Sequence, residues 1–373
     1  NTAKAQQVIP DNTLPNNSVV NNLENNITNI TGGTQRGGNL FHSFERFGVP
    51  TGGEVNFNNT LDINNIINRV TGGNISNIDG LIRANGAANL FLINPNGIVF
   101  GRNARLDIGG SFIGSTADAL RFGEDNFFSA SNPESSSELL SINPNALFFN
   151  QLNPTASIEN RSFLVDAGTN AAGTRARGLR VPDGKSLLLV GGDINIDFGE
   201  LYAFGGRIEL GGLATTGTVG LNSDGDNFSL SFPEGVERSN VTLSNLARVN
   251  VRAGDGGSIA VNAQNLEMIG ESFILAGIDT GLGDDGSIAG NIDINVTGAI
   301  LLNDGSFINN NVRSQARGQG GDVNISANTL QLQDGAQVST STFGEGNSGN
   351  LTITAQDIQL IGGENGLTGL FAD

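Results

Sequence analysis

The chain has 373 residues, among them 54 Gly, 21 Phe and one His, with no Cys and no Trp, and its formal net charge is −18. Nucleic acid and anionic membrane surfaces are bound through clustered Lys and Arg, so this charge balance excludes both as expected partners. No run approaches the ~18 apolar residues a membrane-crossing helix needs, and the only Lys are Lys4 and Lys185.

In chain order, Asn1 to Lys4 lack the apolar run of a signal peptide and read as the residues that follow a removed one. Residues 1–35 are rich in Asn and poor in charge. They are the expected cap of a β-solenoid, whose open end is an exposed sheet edge that something must cover. Asn39 to Val49 places Phe41, Phe44 and Phe47 at spacings of three. Ile63 to Val70 is the one place where a short helical turn is expected. Asn94-Pro95-Asn96-Gly97 reads as a type I β-turn: Asn first, Pro fixing φ second, Gly fourth. It joins the apolar strands Leu90 to Ile93 and Ile98 to Phe100 as a tight solenoid corner. Phe127-Phe128 and Phe148-Phe149 suit either a core corner or a surface patch. Asn132 to Glu138 and Asn222 to Asn227 read as loops.

The middle third alternates apolar segments with Gly-rich turns, as in Ser186 to Ile196, Gly205 to Leu210 and Asn240 to Leu243. The last third repeats. Gly257, Gly290, Gly321 and Gly349 are 33, 31 and 28 residues apart. Two positions on stand Ile259, Ile292, Val323 and Leu351, and four on stand Val261, Ile294, Ile325 and Ile353. Six on come Ala263, Val296, Ala327 and Ala355, and eleven on Met268, Leu301, Leu332 and Leu360. Period-two alternation marks a strand with one buried face. The same columns recurring every ~30 residues mark coils stacked as parallel strands. Leu370 to Asp373 end in mid-repeat fashion, so further coils are expected downstream.

At Asn94-Pro95-Asn96-Gly97-Ile98, preceded by Asn-Leu-Phe-Leu-Ile and followed by Phe-Gly, the sequence resembles the two-partner secretion domain. That domain opens filamentous haemagglutinin, related adhesins and secreted haemolysins. Asn39, Leu40, Phe41, His42, Phe44 and Phe47 are similar to its early apolar block, and Ser111 to Thr116 also match. The family often carries a second Asn-Pro-Asn-Leu motif upstream; here the nearest counterpart is Asn143-Pro144-Asn145-Ala146-Leu147, downstream and altered. The resemblance implies an all-β, right-handed parallel β-helix with an N-terminal β-cap and extra-helical hairpins. It implies a secretion domain over 1–253, with 254–373 as further coils continuous with it. It also implies an outer-membrane β-barrel transporter with POTRA domains as partner, a monomer, and a product secreted or held at the cell surface. In the family the Asn94–Ile98 turn supports secretion by stabilising the fold.

Catalytic chemistry finds little footing. His42 and Ser43 are neighbours on a strand and point to opposite faces, so they cannot form a Ser–His pair. One His and no Cys leave no zinc set, and no cofactor is expected. Asp255-Gly256-Gly257 and Asp284-Asp285-Gly286 lack the nine-residue spacing of calcium β-rolls and read as acidic turns. The competing function is a carbohydrate-active enzyme, a lyase or glycosidase, because such enzymes also use β-helices. That chemistry needs paired carboxylates on one face, and Asp293 and Asp322 make no aligned pair.

Overall fold

The structure is a computed structural model and describes residues 8–135, 141–150, 156–225, 227–364 and 366–373. It is a parallel β-helix of three strands per coil, with two three-residue 3-10 turns as the only helical elements among the described residues.

The long face is a sheet running from Asn39–Phe47 through Asn65–Val70, Asn89–Ile93, Phe112–Ser115, Ser186–Gly191, Arg207–Gly212, Ser258–Ala263, Ile292–Val296 and Val323–Ser326 to Leu351–Thr354. Every step after the cap is parallel and in register. The second face stacks nine strands from Ser76–Ile78 to Asp357–Ile361. The third face is divided: one sheet ends at Arg105–Asp107 and another begins at Leu179–Arg180.

The predicted columns pair directly. Ile259 faces Ile292, then Val323, then Leu351, and Val261 faces Ile294, then Ile325, then Ile353. Through Ile325 these side chains are buried, each burial stabilising by roughly 1.5–3 kcal/mol relative to exposure. One column is corrected. Met268 stacks on Leu302, and Leu302 on Leu332, whereas Leu301 faces Glu267 and Gln331. The coil that carries Leu302 has one more residue at the preceding corner, which shifts the inward position by one.

Ile63 to Val70 forms no helical turn. Asn65–Val70 is a strand buried on both faces, so it lacks the polar–apolar alternation that would have identified it. Asn222–Asn227 is likewise no simple loop: Asn222 pairs with Ser229 and Asp224 with Asn227 across an antiparallel hairpin. Of Asn132–Glu138, Pro133–Ser135 is a 3-10 turn, and 136–138 lie outside the described residues.

That hairpin belongs to a five-stranded outer sheet of Asn126–Ser129, Ala119–Phe122, Ala146–Phe149, Gly217–Asp224 and Asn227–Ser231. The outer sheet lies against the outward face of the long sheet. There Phe41, Ile67, Phe91, Ile113 and Leu188 follow one another rung by rung and are fully buried. Phe128 and Phe149 point into this second core, while Phe127 and Phe148 touch on the opposite side, ring centres 5.4 Å apart. The next residue in the outward column is Glu209, then Ala260 and Asp293. The column thus turns polar where the outer sheet ends.

The cap is a set of antiparallel strands on the first rung. Thr34–Arg36 covers Phe41 to Asn39, and Val8–Pro10 covers Phe47 to Phe44. Pro10 has no N–H, and it helps end the sheet at that edge.

Candidate functional site

The two strands covering the first rung leave an opening at His42 and Ser43. Ser18, from the cap strand Ser18–Asn22, fills it. Its hydroxyl lies 3.0 Å from His42 Nδ1 and accepts from the Ser43 N–H at 3.3 Å. The Ser43 carbonyl accepts from the Asp11 N–H. His42 faces inward with Phe44, Phe57 and Phe47 in one aromatic plug. Burial holds its pKa down to about 3, so the ring is neutral. The Ser18–His42 contact is sealed from solvent on both sides and presents nothing to a substrate.

The rest of the early block divides by face. Leu40, Phe44 and Phe47 enter the helix core, and Phe41 enters the core beneath the outer sheet. Asn39 opens a ladder. Asn65 Nδ2 donates to Asn39 Oδ1 at 2.8 Å, Asn89 Nδ2 donates to Asn65 Oδ1 at 2.9 Å, and the Ser111 N–H donates to Asn89 Oδ1. Asn143 joins the same ladder by accepting from Asn65 Nδ2 at 2.9 Å. The sequence signal was present: Asn39, Asn65 and Asn89 each precede an apolar pair, 26 and 24 residues apart. Asn145 instead bonds the Gly123 carbonyl in the outer sheet.

Asn94 to Ile98 turns the chain from the long face to the second face. The turn closes through the Gly97 N–H and the Asn94 carbonyl at 3.1 Å. Asn94 is fully buried: Nδ2 donates to the Asn74 carbonyl and Ser76 Oγ, and Oδ1 accepts from the Asn96 N–H. Asn96 Nδ2 donates to the Gly72 carbonyl at 2.8 Å. The Asn94 N–H donates to Ser115 and the Ile98 N–H to Ser157, both in the following coil. The corner therefore staples three successive coils. Gly97 has φ +120°, and a Cβ there would stand 3.1 Å from the Ser157 carbonyl oxygen. Ile98 enters the core, and Pro95 is half-buried.

Arg69 is a residue the sequence did not flag. It is fully buried between the long sheet and the outer sheet. Nε donates to Ser43 Oγ, Nη1 to the Ser129 carbonyl and Nη2 to Thr13 Oγ1, at 2.7 to 2.8 Å. Burial lowers its pKa to about 10, with the Asp11 charge acting in the opposite sense, so it stays cationic. Burial pushes Asp11 up, but bonds from Ser43, Thr71 and Thr13 outweigh that and hold it below the usual range. One network thus joins cap, first rungs and outer sheet.

Four carboxylates of the acidic turns and repeat starts face amides. Asp293 accepts from Asn324 Nδ2, and Asp322 accepts from the Asn350 N–H and side chain. Asp255 accepts from the Ile288 N–H, and Asp284 from the Gly286 N–H. Among the described residues no group of three or more His, Asp or Glu is placed to hold a metal ion.

One solved structure of a known protein agrees with this architecture. The HMW1 secretion domain from Haemophilus influenzae superposes with a TM-score of 0.60 at 21% identity, covering 93% of this chain and 76% of that one. A filamentous hemagglutinin secretion domain covers 98% of this chain and 99% of that one at 14% identity, with a TM-score of 0.41. An 86-residue stretch is 38% identical to the heme/hemopexin-binding protein of Haemophilus influenzae, spanning 23% of this chain and 9% of that protein. The family described as the TPS secretion domain matches residues 6–261, well over half of the chain. That match makes the chain, a capped parallel β-helix, a member of the TPS secretion domain family, a secretion family and not a family of enzymes.

Proposed function

We propose that this region is the secretion signal and folding nucleus of a larger exported protein, without enzymatic activity of its own. Its partner would be an outer-membrane β-barrel transporter whose periplasmic POTRA domains bind the chain while it is extended. The mature protein would be a monomeric adhesin or surface filament, secreted or held at the cell surface. The observation that carries this reading is the Asn94–Ile98 corner. The side chains of Asn94 and Asn96 bond to the preceding coil and the backbone of Asn94 and Ile98 to the following one, so the motif acts on secretion through folding. An extended chain offers its apolar strands to a sheet edge by β-augmentation, which reads backbone more than side chain. Each coil then folds on the one before as it emerges, because the helix strands pair only with those of adjacent coils. Folding outside would hold the chain there without ATP. The test is calorimetric titration of the POTRA domains with denatured and with prefolded passenger. Modest affinity for the denatured form alone is expected. Tight binding to the folded helix only, or to neither form, overturns the mechanism.

A further inference from the structure

The strands Asp166–Thr169 and Arg175–Arg177 form a hairpin that leaves the helix between its second and third faces. Its stem rests on the coil of Tyr202 and Phe204, against which Ala176 and Ala167 pack. Its tip reaches farther. Asn170 Oδ1 accepts from the N–H groups of Ala172 and Thr174, which fixes the turn. Asn170 Nδ2 and Thr174 Oγ1 then donate to Asp279 Oδ2 at 2.8 and 2.6 Å.

Asp279 is a fully buried carboxylate. Its other oxygen accepts from the Thr280 N–H at 2.9 Å and from Arg313 Nη1 at 3.1 Å. Asp279 and Arg313 stand in successive coils, since Ile278 pairs with Val312. Both lie beyond residue 261, where the family match ends, whereas the hairpin lies inside it. Each side needs the other. Without the hairpin, Asp279 Oδ2 loses the Asn170 and Thr174 donors, and a carboxylate oxygen is costly to leave unbonded unless water replaces them. Without Asp279, the stem keeps its packing but the tip is left with only the long bond from Asn170 Nδ2 to the Arg252 carbonyl, at 3.4 Å, and a two-stranded ribbon has little stability of its own.

We propose that the hairpin 166–177 is a latch that closes only when the coils carrying Asp279 and Arg313 have folded beneath its tip. The secretion domain is then completed by coils outside it, and in a chain emerging N-terminus first the latch stays open until those coils form. The contact itself does not depend on the export route or on the transporter.

Hydrogen exchange on the full 373-residue chain tests it, with Thr174→Val and Asp279→Ala as variants. Thr174→Val removes one bond from the hairpin side and changes no coil residue. In both variants the amides of 166–177 should exchange at least about tenfold faster, while those of Leu187–Val190 stay unchanged. Hairpin protection unchanged in both variants would overturn the proposal. So would loosening of residues 273–312 in Asp279→Ala with the hairpin still protected, because Asp279 would then be a coil-to-coil staple. Should Asp279→Ala fail to fold, Thr174→Val alone decides.

Discussion

The Arg69 guanidinium carbon lies 4.3 Å from the centre of the Phe128 ring, and both side chains are shut off from water. The contact binds a residue of the second rung to a strand of the outer sheet. Together with the Ser129 and Thr13 bonds it makes Arg69 the point where three separately built parts meet.

Replacing Arg69 should therefore be expensive. Arg69→Met takes the donor from the buried Ser129 carbonyl and the positive charge from beside Asp11, and removal of one partner from a buried charged network costs about 3–5 kcal/mol. Arg69→Lys keeps the charge but loses the planar fork and should fall between the two. Denaturant unfolding of the three proteins checks the order. A Met variant as stable as the parent would mean that the outer sheet does not need this anchor.

Gly97→Val should cost roughly 1–3 kcal/mol through a left-handed φ and the approach to the Ser157 carbonyl. Secretion should fall in step with the melting temperature. Unchanged thermal stability with abolished secretion would assign the corner a direct recognition role.

His42 sets a pH dependence. Its pKa is about 3 folded against the ordinary 6.5 unfolded, so the folded ring resists protonation. Its contribution is fully present above about pH 6.5 and is lost as pH falls toward 3. The slope approaches 1.4 kcal/mol per pH unit at most, on the order of 5 kcal/mol over the whole window. His42→Gln, neutral throughout, should flatten stability between pH 6.5 and 4. Identical pH profiles for parent and variant would show that the ring protonates without opening the plug.

Ile294→Ala removes a side chain stacked between Val261 and Ile325. The expected cost is about 2–5 kcal/mol. In a stack of nearest-neighbour coils the damage should stay local. Exchange should quicken over residues 258–326 and stay unchanged at Leu40–Phe44. Uniform loosening of the whole chain would show global cooperativity instead.

The sequence by itself determined the coil. Gly257, Gly290, Gly321 and Gly349 set the phase, and the columns two and four residues later pair in that phase, because one face of each strand is inward and the other wet. It also marked Asn94–Ile98 as a corner, since Pro and Gly fix a turn locally. Only the tertiary structure decided what lies on the outward face of the long sheet. Asn65–Val70 is buried by the helix core on its inward side and, on its outward side, by strands that follow it by at least 49 residues, so its apolar pattern carries no period to read. Leu301 and Leu302 differ by one residue at a corner, a slip that pairing resolves and spacing does not. Arg69 and Asp279 look like ordinary surface charges in the text. Their burial comes from segments 60 and 109 residues away in the chain, at Ser129 and Asn170, and such contacts leave no local periodicity behind.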